Sequence, residues 1–180
     1  PTCREFLKEW LPEQKFDVVL GSVHYITNWG FDNPSNMSVW DTVDITETWK
    51  RYFDLLCQMA QTRFFDVVSH MDLTKRFGHK PAEDEITAMV IPALDAIAES
   101  EMAIEINTSG LRRPVHEMYP SLSILKLARE RNIPICFGSD SHEPQHVGYC
   151  FDQAVQLAKS AGYTQCVRFR ERQMEFTDLS

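Results

Sequence analysis

The chain has 180 residues, 43% of them hydrophobic, and a formal net charge of −8. That length and apolar content point to one domain with a buried core, and the acidic balance excludes nucleic acid or an anionic membrane as the main partner, since both need a basic face. No apolar run approaches the roughly 18 residues of a membrane span, no signal peptide is expected, and the five cysteines (Cys3, Cys57, Cys136, Cys150, Cys166) contain no CxxC pair, which points to reduced thiols and a cytoplasmic setting.

The predicted elements alternate along the chain. Residues 4–10 read as a helix already in mid-protein, behind a Pro1 that is no initiator methionine, so a longer chain is expected upstream. Residues 16–23 (FDVVLGSV) form a β-rich run, followed by an irregular, aromatic-rich stretch. Helical spacing then covers 45–62, where Trp49, Tyr52, Phe53, Leu56 and Met59 recur at three and four residues as a core stripe. A second buried strand is predicted over 64–69 (FFDVVS). Pro81 opens the next helix, which carries Glu83, Asp84 and Glu85 in its first turn, where the dipole favours acids, and runs to Ser100. A strand over 103–107 (AIEIN) leads to a helix over 121–131 with Ser121 as its N-cap. A strand over 133–139 (IPICFGS) leads to a helix over 147–161 that stops at Gly162. A fifth strand follows over 165–169, with a short extra one over 173–176. The order βαβαβαβαβ, without hairpin signals, predicts a parallel sheet: a small open one or most of a (β/α) barrel. No turn carries a dinucleotide fingerprint or a P-loop.

Each of the first four strands runs into polar residues at its C-terminal end: His24 (GSVH), His70 (VVSHMD), Asn107 (EINTSG), and Asp140 with His142 (FGSDSH). Parallel α/β folds build their sites at that edge. His24, His70, Asp140 and His142 form a nitrogen and oxygen donor set suited to zinc, manganese or iron. Asp140 and His142 are also the candidate catalytic residues. Two apart, they point to one side of an extended segment, or serve two adjacent metals if the segment bends. Such a centre polarises a phosphoryl oxygen and generates hydroxide near neutral pH. His79 and His146 read as surface histidines. The loop 107–114 offers Asn107, Ser109, Arg112 and Arg113 to a phosphate, with a turn-permissive Gly110. Arg112 leads Arg113, because the residue before Pro114 is restricted. The aromatic loop 25–32 either closes over a substrate or packs on the following helix.

The segments GSVHYITNWGFDNP, VVSHMDLTKRF, EINTSGLRRP and FGSDSHEPQHVG resemble the C-terminal two-thirds of PHP-family histidinol phosphatases, over residues 16–176. The GSVH and SDSH motifs belong to PHP proteins generally; the aromatic loop and NTSGLR are more specific to the histidinol phosphatases. The resemblance implies an α/β fold, a distorted (β/α)7 TIM-like barrel, in which residues 1–180 form a single metallophosphoesterase domain without its first βα units. It implies a trinuclear metal centre in which His24 and His70 share one ion, Asp140 binds a second and His142 a third, while Arg112 contacts the phosphate. The implied reaction is hydrolysis of histidinol phosphate by a metal-bound hydroxide, without a covalent phospho-enzyme. The expected partner is thus a small phosphorylated metabolite. The family's opening His-x-His and bridging glutamate have no counterpart before His24, so the fragment alone is expected to be a poor enzyme. Three other readings stay open: a PHP phosphoesterase with a different substrate, an inactive scaffold, and an amidohydrolase-like barrel.

Overall fold

In the computed structural model the chain is described over residues 4–179; Pro1 and Cys3 of the readings above lie outside them. In chain order the elements are α1 (Arg4–Trp10), β1 (Leu20–Gly21), β2 (Tyr25–Ile26), β3 (Trp29–Gly30), α2 (Ile45–Gln61), β4 (Val67–Val68), α3 (Glu83–Glu99), β5 (Ala103–Asn107), α4 (Leu122–Glu130), β6 (Ile135–Gly138), α5 (Phe151–Ser160), β7 (Gln165–Arg170) and β8 (Gln173–Asp178).

The strands β1, β4, β5 and β6 pair side by side, all parallel and in chain order. Consecutive strands are neighbours throughout, so right-handed crossovers place the connecting helices on one face. The central strand β5 is buried along its whole length. Its Ile104 and Ile106 face the helices and join the two main hydrophobic clusters. Ala103 faces the other way, against Val67 and Val167, and by strand alternation Glu105 and Asn107 share its side. The described residues form an open sheet, not a closed barrel.

The helices follow from local signals. Asp44 caps α2 by accepting the Glu47 N–H at 2.8 Å. Its buried face is Thr48, Trp49, Tyr52, Phe53, Leu56 and Ala60. In α3 the Glu85 carboxylate reaches back to the Ala82 N–H at 3.1 Å, half of a capping box. That helix continues through Pro92, whose missing N–H is outweighed by packing against α2.

Three expectations need correction. Ser121 holds the N-cap position of α4 but makes no side-chain cap; its hydroxyl meets Ser123 and its N–H donates to Asp72 at 3.0 Å. Helix α5 begins at Phe151 rather than Val147, because Gly148 (φ 70°) and Cys150 (φ 54°) are left-handed and break any helix before them. The fifth strand does not join the parallel sheet: β7 pairs antiparallel with β8. The connecting Glu171 and Arg172 have φ of 49° and 63°, a two-residue turn normally signalled by Asn or Gly. Tertiary contacts hold it instead. The N–H groups of Glu171 and Arg172 donate to Asp17, and the Arg172 guanidinium forks onto the Asp66 carboxylate, with Nε–Oδ2 and Nη2–Oδ1 both at 2.9 Å.

Candidate functional site

The C-terminal edge of the sheet collects the polar strand ends. His24 and His70 follow β1 and β4, and their rings meet edge to face with centroids 5.1 Å apart. Asp32 accepts from His24 Nδ1 at 3.0 Å. This bond holds the His24 imidazole above its ordinary value, against burial. Burial pushes the Asp32 carboxyl up, but His24 and Arg76 outweigh it and hold the group below the usual carboxylate range. His70 is nearly inaccessible, so burial and then the His24 charge hold its imidazole low, while Glu105 and Asp140 pull the other way. Both His70 (φ 27°) and Asp140 (φ 45°) adopt backbone conformations that non-glycine residues rarely visit.

The donor set fits a divalent cation. The His70 Nδ1 is buried and has no hydrogen-bond partner in the protein, and the Asp32 contact leaves the second ring nitrogen of His24 free as a ligand. The set is incomplete, however: among the described residues no three His, Cys, Asp or Glu side chains stand together as a metal cage. His142 makes no contact with His24 or buried His70 among the hydrogen bonds and ring pairs of the described residues. It is exposed and turns its Nδ1 to the Asp140 carbonyl at 3.1 Å and the Asp140 carboxylate at 3.8 Å. The left-handed Asp140 bends the segment that an extended reading would keep straight.

Cationic groups surround this edge. Arg112 donates through Nη2 to the carbonyls of Ser139 (2.8 Å) and Asp140 (3.2 Å) and lies over the Tyr149 ring at 5.2 Å. Its Nη1 is buried without a partner, as are Nε of Arg113 and Nε of Arg76. Arg112 and Arg113 line an open cavity of about 550 Å³ with Asp140, His142, Glu143, His146 and Tyr149. Asn107 sets the loop before them, accepting the Ser109 N–H at 2.9 Å. Gly110 serves there by space rather than by a positive φ, since a Cβ would strike the Glu117 carbonyl.

Of the remaining histidines, His146 sits edge-on to Tyr149 at 6.2 Å, and His79 is no free surface residue but stacks on Trp40 at 5.0 Å. The aromatic loop packs inward through Phe31, 5.4 Å from the Tyr52 ring, leaving Tyr25 exposed. Three residues escaped the sequence reading. Arg76 follows His70 by six positions on a 3-10 turn, and burial, then the Arg113 charge, lower its pKa. Asp32 orients His24. Glu105, an acid inside the otherwise apolar AIEIN run, is the one of the three with a legible signal, because acids are almost never fully buried without partners.

The family model for the PHP domain matches residues 7–109, more than half of the chain, and the model for the PHP-associated region matches residues 123–159. The chain belongs to the PHP domain family. It is 37% identical over 175 residues to a Deinococcus radiodurans protein named "Probable histidinol-phosphatase", covering 97% of this chain and 66% of the relative. It is 34% identical over 93 residues to the histidinol-phosphatase of Bacillus subtilis, covering 49% of this chain and 35% of the relative. The fold is similar to that of the Lactococcus lactis histidinol phosphate phosphatase, a crystal structure complexed with zinc, L-histidinol and phosphate. The TM-score is 0.78 at 19% identity, over 97% of this chain and 67% of that one. The chain thus spans about two thirds of the length of the Deinococcus relative.

Proposed function

We propose that this chain carries the metal- and phosphate-binding face of a phosphomonoesterase that releases inorganic phosphate from histidinol phosphate. The observation that carries the reading is the juxtaposition of the His24–His70 pair with three guanidinium groups whose buried N–H groups lack partners. Unsatisfied cationic donors beside metal-type imidazoles suit a phosphate anion shared with metal ions. The names of the Deinococcus and Bacillus relatives, and the zinc, histidinol and phosphate in the Lactococcus neighbour, support the substrate and the metal.

In this reading His24, His70, Asp140 and His142 would contribute ligands to a centre of up to three divalent ions in the complete protein, zinc first, with manganese or iron suited to the same donors. Such ions supply positive charge to the phosphoryl group and lower the pKa of water. The protein's own groups do the rest. Asp32 fixes the His24 ring, Arg112 keeps its Nη1 free while Nη2 is anchored, and Asn107 shapes the turn that carries Ser109. Arg113 and Arg76 complete the cationic wall, and Asp140 with His142, which line the same cavity as Arg112 and Arg113, are the candidate catalytic pair. The unbroken chain order of the strands supports a distorted (β/α)7 barrel in the whole protein. The pairing of β5 with β6, one from each family segment, supports reading residues 1–180 as a single domain. The described cysteines are free thiols, which suits a reducing, cytoplasmic setting.

Phosphate release tests the assignment. The zinc-loaded protein is expected to turn over histidinol phosphate in preference to a panel of other phosphomonoesters. Equal or better turnover of an unrelated ester overturns the substrate.

A further inference from the structure

We infer that Glu105 is the positioning residue of this site, tying the segment that carries His70 and the segment that carries Arg112 to a single carboxylate. The inference rests on the metal- and phosphate-binding reading above.

Glu105 lies in the middle of β5 and is 6% exposed. An apolar side chain there would fill the inner face without desolvating a charge. The carboxylate instead gathers donors on one oxygen. Its Oε2 accepts from the Ser69 hydroxyl at 2.6 Å, the His70 N–H at 3.2 Å and the Asn107 amide at 2.8 Å. The first two belong to the end of β4, where His70 takes its strained left-handed backbone. The bond to the His70 N–H holds that backbone, and with it the direction of the imidazole. The third leads into the other segment. Asn107, braced by Glu105 through its amide, accepts the Ser109 N–H through its side-chain oxygen and so sets the 3-10 turn Thr108–Arg112.

A second observation stands apart from these bonds. Gly138 is the cross-strand partner of Asn107, and a Cβ on it would collide with Glu105 Oε1. Its φ is not in the left-handed region, so the backbone does not demand glycine. The space does, and the carboxylate occupies it. Burial and the neighbouring Glu105 charge also push the thiol of Cys136, the cross-strand partner of Glu105, up to about 12.

Two substitutions test the inference independently. Glu105→Gln keeps the shape and removes the charge; Gly138→Ala keeps every bonding group and removes the space. Zinc affinity is measured by competition with a chelator, beside the melting temperature of the metal-free protein. Both variants are expected to bind zinc about ten- to a hundredfold more weakly, as loss of a group that orients a metal ligand does. Ile106→Val, on the helix-facing side of the same strand, serves as a control for stability and is expected to bind zinc like the wild type. If either variant fails to fold, Ser69→Ala, which removes one donor to Glu105, is expected to weaken zinc in the same direction. Unchanged zinc affinity in the folded variants, or an equal loss in the Ile106→Val control, overturns the positioning role. A wild-type protein that binds no zinc instead overturns the metal reading on which the inference rests.

Discussion

Arg112 is held on one side and open on the other. Its Nη2 braces the end of β6 through two carbonyls, while Nη1 stays unpartnered. Arg112→Ala is therefore expected to lower stability by about 1.5–3 kcal/mol, the worth of a charge-assisted bond. It is also expected to lower kcat/KM for histidinol phosphate by about one to two powers of ten. Arg112→Lys is expected to recover part of each, because the ammonium keeps the charge but not the fork. An early melt with full efficiency would make Arg112 a brace alone. Asp32 offers a second test at this scale, in the metal-free protein. His24 is raised above 6.5, so its pairing stabilises fully below that value and is lost as pH rises through the folded pKa. Asp32 is lowered, so its share is present above the ordinary carboxylate range and is lost as pH falls through its folded pKa. His70 runs the opposite way to His24: with its folded pKa below 6.5, acidification beneath 6.5 costs stability. Proton NMR titration is expected to place His24 above 6.5 and His70 below it, and Asp32→Asn is expected to bring His24 down. A wild-type His24 that titrates below 6.5 would mean the Asp32 pair is not formed in solution.

At the scale of elements, two charged clusters join segments far apart in the chain. Lys75 is fully buried, with Nζ 2.8 Å from Asp72, 3.2 Å from Glu117 and 2.7 Å from the Met118 carbonyl. It locks the 3-10 turn that presents Arg76 onto the strand-like segment beside Asn107. Lys75→Met leaves the buried Asp72 uncompensated, and a loss of about 3–5 kcal/mol is expected from chemical denaturation. The Arg172 fork on Asp66 fastens the β7–β8 hairpin across the N-terminal side of the sheet. Arg172→Ala is expected to lower stability by about 2 kcal/mol, the worth of hydrogen bonds to a charged group. The same variant is expected to leave zinc affinity untouched, since the hairpin turn lies at the opposite edge from His70. A melting temperature equal to wild type would show that the hairpin is held by its apolar contacts alone.

For the whole molecule, metal and fold are coupled by mass action. Zinc at a hundred times its dissociation constant is expected to add about 2.7 kcal/mol to the stability of the folded state. A chelator should remove that increment, read as a lower melting temperature that excess zinc restores. A melting temperature indifferent to both would count against a site preorganised for metal.

What the sequence determined by itself was local. The spans of α2, α3 and β5 follow from apolar spacing, first-turn acids and a short β-rich run, all of which act over a few residues. The edge at which His24, His70, Asn107 and Asp140 lie also follows, because parallel strands all end on one side. Tertiary structure decided what depends on distant partners. Glu171 and Arg172 carry no turn signal; the hairpin exists because Asp17 and Asp66 receive it. Helix α5 starts late because the chain must turn at Gly148 and Cys150 to follow β6. The roles of Asp32 and Arg76 stayed illegible for the same reason, and for Glu105 the AIEIN run signalled only that a buried acid needs partners, not which ones. A carboxylate becomes a positioning group, and a guanidinium an anion site, only when folding buries it and selects the groups it faces.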